Sequence, residues 1–314
     1  MANLYLVTGG AGFIGSHIVN ALVERGKSVR VVDNLSTGKI DRLDCVRSAI
    51  DFIDADLADP QVCDRVVDGV DYVLHQAAIP SVQRSIRDPI ASNRANVTAT
   101  LNLLESCRTR SVHRLVYAAS SSAYGDTKIL PKQEDMAANP MSPYALQKLV
   151  GERYAKLYFD LYKFETVSLR YFNVFGPSQD PYSEYSAVIP KFITKLLAGE
   201  KLTIFGDGEQ SRDFTYVENV VEANLLALTA DGAAGTMMNL GCGARISLNQ
   251  LIRQLEMIVG VSAEVEYLPA RAGDVRDSLA DIGLAERLLG YRPAVSVEDG
   301  LARTVEWFRS QANA

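Results

Sequence analysis

Tyr144 and Lys148 stand four residues apart in Tyr144-Ala-Leu-Gln-Lys148. On a helix, that spacing puts both side chains on one face. An ammonium near a phenol favours the phenolate, so the Tyr144 pKa is expected to fall from its usual value of about 10. A phenol tuned in this way serves as a base near neutral pH. The same spacing is common on solvated helix faces, so the pair needs a companion. Ser120-Ser121-Ser122-Ala123-Tyr124-Gly125 supplies hydroxyls just past an apolar strand. In open α/β sheets, ligands bind at the C-terminal ends of strands. A hydroxyl there can donate to a reacting sugar oxygen, although three serines also make an ordinary turn.

A second constellation is built for phosphate. Thr8-Gly9-Gly10-Ala11-Gly12-Phe13-Ile14-Gly15 fits Gly-x-x-Gly-x-x-Gly through Gly9, Gly12 and Gly15, and Gly-x-Gly-x-x-Gly through Gly10, Gly12 and Gly15. Glycines allow a tight turn and let the backbone approach a pyrophosphate at the helix N-terminus, among free N–H groups and the positive dipole end. Asp33 follows about 20 residues later, where a carboxylate accepts from ribose hydroxyls. It would also repel a 2′-phosphate, so NAD is favoured over NADP. Asp56-Leu57 closes a third strand, where adenine would lie, and Gln76-Ala77-Ala78 follows a fourth with residues small enough to admit a cofactor.

These residues need elements to position them. Apolar runs at 3–8, 28–33, 52–56, 72–75, 115–119 and 167–170 predict strands. Helical spacing at 13–25, 60–68, 93–109 and 142–162 fills the gaps between them. Strand–helix alternation implies βαβ units, a parallel sheet and right-handed crossovers, most simply a doubly wound α/β sheet. After residue 175 the pattern loosens. Short helices are predicted at 187–198, 217–229, 247–259, 283–289 and 298–311, with strands at 202–204 and 264–267. The expected organisation is a dinucleotide domain over 1–175 and a smaller α+β substrate-binding domain over 176–314, with segments returning to the first.

Composition narrows the function classes. The 314 residues are 47% apolar and 22% charged, enough for a full core without staples. Net charge −6 disfavours nucleic acid as a partner. Four scattered cysteines and three lone histidines argue against a metal site and predict reduced thiols and a cytoplasmic location. No basic-then-apolar leader opens the chain, and no apolar run is long enough to span a membrane.

Taken in order, the glycine turn, the loop Asp33-Asn34-Leu35-Ser36-Thr37-Gly38, the serine stretch, Tyr-x-x-x-Lys and Arg170-Tyr171-Phe172-Asn173 resemble the extended short-chain dehydrogenase/reductase family, in particular its nucleotide-sugar epimerases and dehydratases. The resemblance covers essentially the whole chain. It implies a Rossmann sheet with bound NAD, Tyr144 as base, and Lys148 holding the nicotinamide ribose while tuning Tyr144. Counted back from Tyr124-Gly125, the catalytic hydroxyl falls on Ser120, with Ser122 as the alternative or as a sugar contact. Phe13, Ile14, Asn34, Ser36, Thr37, Gly38, Asn96 and Tyr171 join the implied cofactor site. Asn173, Ala187, Val188, Thr203, Phe205, Arg212, Arg271, Asp274 and Ser278 join the implied substrate site. There Phe205 would stack near uracil, and Arg212 and Arg271 would clamp the diphosphate.

The family's dehydratases and decarboxylases carry an acid beside the catalytic hydroxyl. Ser121 and Ser122 occupy those places here, which favours 4-epimerisation through a transient 4-keto sugar. Ser278 is small where members restricted to glucose and galactose tend to carry a large residue, leaving room for an N-acetyl group. UDP-GlcNAc/UDP-GalNAc is therefore the expected pair, with UDP-glucose/UDP-galactose as a further pair. A UDP-glucuronate epimerase, with Arg84 near the carboxylate, and a glucose-only epimerase are the alternatives. A non-catalytic NAD-binding protein is the rival class. The family commonly forms homodimers through two helices per subunit, here 95–108 and 144–160.

Overall fold

A computed structural model describes residues 3–181, 187–270 and 275–312. The chain runs β1 (Leu4–Thr8), α1 (Phe13–Glu24), β2 (Ser28–Asp33), β3 (Ile50–Asp54), α2 (Pro60–Val66), β4 (Tyr72–His75), α3 (Val82–Arg87), α4 (Pro89–Asn93), a π turn (Arg94–Thr98), α5 (Ala99–Thr109), β5 (Arg114–Ser120), α6 (Pro143–Tyr162) and β6 (Glu165–Tyr171). It continues through β7 (Val174–Phe175), α7 (Val188–Leu197), β8 (Leu202–Phe205), β9 (Ser211–Arg212), β10 (Thr215–Tyr216), α8 (Val217–Thr229), β11 (Thr236–Leu240), β12 (Ile246–Ser247), α9 (Leu248–Val259), β13 (Val265–Leu268), α10 (Gly283–Leu289) and α11 (Val297–Ala312).

Seven parallel strands form one sheet in the order β11-β6-β5-β4-β1-β2-β3. This is the expected doubly wound α/β arrangement, with its switch point between β1 and β4. Alternate residues feed opposite faces. Val7, Val31, Leu74, Val116 and Leu169 pack with α1 and α8, while Leu6, Val32, Val73, Leu115 and Ala119 pack with α2 and α5. A third core, around Phe192, Ile204, Leu251, Leu255 and Phe308, holds the smaller region together.

Several local expectations shift. The third strand occupies Ile50–Asp54 rather than 52–56. The helix expected over 93–109 is broken by the π turn, and α3 and α4 precede it. β11 was not legible: Thr-Met-Met-Asn-Leu is poor in β-branched residues, and its place is set by pairing with β6. α8 lies against α1, so 217–240 return to the sheet after the excursion that begins at residue 176. All four cysteines are free thiols. Among the described residues, no helix is long and apolar enough to cross a membrane, and no group of His, Cys, Asp or Glu could hold a metal ion.

Candidate active site

Strand register assembles the crevice. Thr8 pairs with His75, and Ser120 pairs with Tyr171, so the segments beginning at Gly9, Gln76, Ser121 and Phe172 emerge together along one edge of the sheet. The glycine turn is sterically committed. Gly9 has φ +65°, and a Cβ there would lie 2.7 Å from the Ala77 backbone. A Cβ on Gly15 would fall 2.1 Å from the Gly9 carbonyl. Gly12 caps α1 without a side-chain hydrogen bond, so the N-cap residue leaves the first N–H groups of α1, around Phe13 and Ile14, without a side-chain acceptor. A bare helix N-terminus behind a glycine cradle fits a dinucleotide pyrophosphate.

Asp33 ties this turn to β2. Its two carboxylate oxygens accept from Leu35 N–H at 2.9 Å and Ala11 N–H at 3.0 Å. Burial raises its pKa, and those two N–H groups oppose the rise. Each oxygen keeps a lone pair for a ribose hydroxyl. Gly38 packs so closely that a Cβ would lie 2.8 Å from the Asp33 carboxylate. Asn34, Ser36 and Thr37 are exposed beside it. Leu57 is buried, and Asp56 pairs at 3.4 Å with Arg94.

On the other side of β1, the Thr8 hydroxyl meets His75 Nδ1 at 2.7 Å and accepts Ala77 N–H at 3.2 Å. His75 Nε2 meets Thr100 Oγ1 at 2.9 Å, and that hydroxyl donates onward to the Asn96 carbonyl at 2.7 Å. Burial, aided by Lys148, pushes the pKa of this imidazole down to about 3, so it stays neutral near physiological pH. The unfolded chain therefore takes up a proton below about pH 6.5 that the fold refuses. His75 contributes full stability above that value and loses it as pH falls toward 3. Between about pH 7 and 4 the wild-type Tm is expected to fall more steeply than that of His75→Asn. Equal acid slopes would remove His75 from the account.

Asn96, expected near the cofactor, spends its side chain inside the protein. Its Oδ1 accepts Ile79 N–H at 2.7 Å, and its Nδ2 donates to Gln147 Oε1 at 2.9 Å. It thereby joins the loop after β4 to α6, and the π turn aims it there. The Tyr171 hydroxyl likewise faces Asn224 at 3.0 Å and Gln76 at 3.2 Å.

The catalytic candidates converge. Ser142 caps α6, accepting Ala145 N–H at 3.1 Å, with Pro143 in the first turn. Tyr144 N–H is held by Ser85 Oγ at 3.0 Å. The Tyr144 hydroxyl lies near the Ser120 side chain, which works to lower its pKa, and Ser120 Oγ lies 2.8 Å from Ser122 Oγ. Lys148 is buried, with its Nζ 4.5 Å over the Tyr117 ring. The expected tuning differs in sign from what the protein alone does. Burial raises the Tyr144 pKa, with only Ser120 opposing it. Burial also lowers Lys148 to about 7, so its charge is only partial near neutrality.

The substrate candidates lie on the smaller region's side. Asn173 has φ +30° and donates from Nδ2 to the Asp213 carbonyl at 3.0 Å. Arg212 and Ser278 sit on adjacent extended segments, since Ser278 N–H donates to Ser211 and Asp213 N–H donates to Ser278. Arg212 Nη1 also donates to the Arg276 carbonyl at 2.8 Å. Thr203 and Phe205 are half-buried on β8, beside β13. Ala187 and Val188 open α7. Arg271 and Asp274 lie outside the described residues.

The sequence reading missed a buried network behind the site. Arg170, 1% exposed, donates to both Glu152 oxygens at 2.7 and 2.8 Å and lies 4.4 Å over the Tyr124 ring. Tyr124 donates to Asn239 Oδ1 at 2.6 Å. One signal was available: Tyr144, Lys148 and Glu152 repeat at i, i+4 and i+8 on one helix face. Asp213 was also missed. It accepts three backbone N–H groups, from Cys242, Gly243 and Ala280, and burial raises its pKa to about 6.

Comparison with known proteins agrees with this geometry. The model of the NAD dependent epimerase/dehydratase family matches residues 5–241. The chain is 38% identical to a UDP-glucose 4-epimerase of Mycolicibacterium smegmatis, covering 98% of this chain and 99% of that one. A Thermotoga maritima UDP-glucose 4-epimerase solved with UDP-glucose superposes with TM-score 0.94 at 40% identity, covering 98% and 99% of the two chains. A Methanobrevibacter ruminantium UDP-N-acetylglucosamine 4-epimerase, in complex with UDP-N-acetylmuramic acid, gives TM-score 0.94 at 39% identity over 99% and 100%. The chain belongs to the NAD dependent epimerase/dehydratase family, and it is an enzyme whose cofactor is NAD.

Proposed function

We propose that this enzyme interconverts the C4 epimers of a UDP-hexose, with UDP-GlcNAc/UDP-GalNAc as its principal pair and UDP-glucose/UDP-galactose as a second. The observation that carries the reaction class is the Tyr144 phenol beside the Ser120 hydroxyl at the crevice, with hydroxyls rather than carboxyls at 121 and 122. Relatives with UDP-sugar 4-epimerase names, at 38–40% identity over nearly the whole chain, support the same class. Tyr144 Oη takes the proton of the sugar 4-OH, and Ser120 Oγ bonds the same oxygen. NAD supplies the acceptor for the C4 hydrogen and returns it. The 4-keto sugar turns about its bond to the diphosphate, so the returning hydride adds to the opposite face of C4 while Tyr144 gives the proton back to O4. The glycine turn with Phe13 and Ile14, Asp33 and its loop, Asp56-Leu57, Gln76-Ala77-Ala78 and Lys148 hold the dinucleotide. Asn96 and Tyr171 shape that cleft through their protein contacts. Ser122, Asn173 and Ser278 face the sugar, and Arg212, with Thr203 and Phe205, the nucleotide.

The small side chain at Ser278 supports the N-acetylated pair. Purified enzyme is expected to convert UDP-GlcNAc to UDP-GalNAc without added NAD. Ser278→Tyr should lower UDP-GlcNAc turnover by about 10–200-fold while sparing UDP-glucose. Conversion of UDP-glucuronate or UDP-glucose but not UDP-GlcNAc, read by chromatography of the UDP-sugars, would overturn this substrate assignment. The reading includes a homodimer through α5 and α6, supported by the half-exposed Leu146 and Leu157 and the more exposed Leu161 on the outer face of α6.

A further inference from the structure

The segment 176–180, which leaves β7 for the smaller region, is tied back to the glycine turn. Arg42 lies beyond the 34–38 loop. Its Nη1 donates to the Ala11 carbonyl at 3.1 Å and its Nη2 to the Ser178 carbonyl at 2.9 Å. One turn into α1, His17 Nε2 meets the Pro177 carbonyl at 3.0 Å. Lys39 N–H also donates to the Ala11 carbonyl, at 2.9 Å, and its Nζ lies 3.7 Å from Asp180. Gly176 seats the segment closely, since a Cβ there would lie 2.6 Å from Val217 Cγ1.

Three side chains from two separate elements thus hold one short segment against the first turns of α1. They do so where the uncapped N–H groups await a pyrophosphate. The bonds of Arg42 go to neutral carbonyls of both segments, and Asp41, Asp180 and Asp33 lie close enough to offset part of its half-buried charge. The chemistry explains why such a tie costs no turnover. Epimerisation returns the cofactor to its starting oxidation state, so no step of the cycle requires exchange.

We propose that Arg42 and His17 clasp segment 176–180 over the N-terminal end of α1, so that NAD leaves only when the clasp opens. The inference rests on the NAD assignment and goes beyond it by naming what retains the cofactor. Losing hydrogen bonds made by a charged donor is expected to speed NAD release at least about tenfold. The test uses wild type, Arg42→Met, Arg42→Lys and His17→Phe, each desalted. The NAD still bound is quantified after denaturation, and exchange is followed against labelled NAD. Wild type should keep its NAD. Arg42→Met and His17→Phe should lose it with Tm close to wild type, and Arg42→Lys should fall between. Release at the wild-type rate in Arg42→Met and His17→Phe overturns the clasp alone, as does loss that occurs only with a collapse of Tm in both. A folded wild type that holds no NAD overturns the cofactor assignment and the clasp together.

Discussion

Tyr144→Phe is expected to lower kcat by about 10²–10⁴-fold while the protein keeps its fold and its NAD. The variant removes one oxygen, the atom beside the Ser120 hydroxyl that in the proposed mechanism receives the 4-OH proton. It leaves the ring, the cap at Ser142 and the Ser85 bond to the Tyr144 backbone in place. The loss should therefore fall on kcat more than on KM, because a group that moves a proton acts chiefly in the transition state. The protein by itself raises the pKa of this phenol and lowers that of Lys148 to about 7. Proton transfer thus depends on the assembled site rather than on a phenolate preformed in the free protein. The measurement is steady-state epimerisation alongside bound-NAD content. Wild-type kcat in Tyr144→Phe would remove Tyr144 as the base.

Arg170→Met is expected to cost about 3–5 kcal/mol of stability, a drop in Tm on the order of 10 °C. Glu152 and Arg170 are 3% and 1% exposed, and the guanidinium donates to both carboxylate oxygens. Removing it strands a carboxylate with no water to replace the lost partner. The double variant Arg170→Met/Glu152→Leu should recover much of the loss, because apolar side chains of similar volume carry no desolvation penalty. Thermal unfolding of wild type and the two variants decides the matter. A single variant as stable as wild type would show that the ion pair does not hold this region together. The pair also bears on the site, because Glu152 lies one helical turn beyond Lys148, and Tyr124, under the guanidinium, closes the loop carrying Ser120.

Much of the sheet was legible because its signals are local. Buried parallel strands read as short apolar runs, and α1, α6, α8 and α9 read as 3.6-residue spacing, within about two residues of their observed ends. Where the signal was weak, the expectation slipped. β3 moved by two residues, and β11 was missed because its strand character comes from β6 rather than from its own composition. The parts of the candidate site were legible as local motifs, and the structure places the glycine turn, Asp33, Ser120 and the Tyr144–Lys148 pair along one edge of the sheet. The side-chain partners of Asn96 were not legible, because Ile79 and Gln147 stand 17 and 51 residues away in sequence.

Residue order alone specifies which chemistry-bearing side chains exist and which lie on one helix face or at one strand end. Those properties depend on spacings of a few residues. Tertiary structure decided what each of them meets. The register of β5 against β6 sets Ser120 beside Tyr171, and Tyr124 finds Asn239 across 115 positions. It also decided the sign of the tuning. Spacing alone counts the attraction between a Tyr144 phenolate and the Lys148 ammonium, whereas burial away from water raises the phenol and lowers the amine. Desolvation depends on everything packed around a group, so no local pattern of residues encodes it.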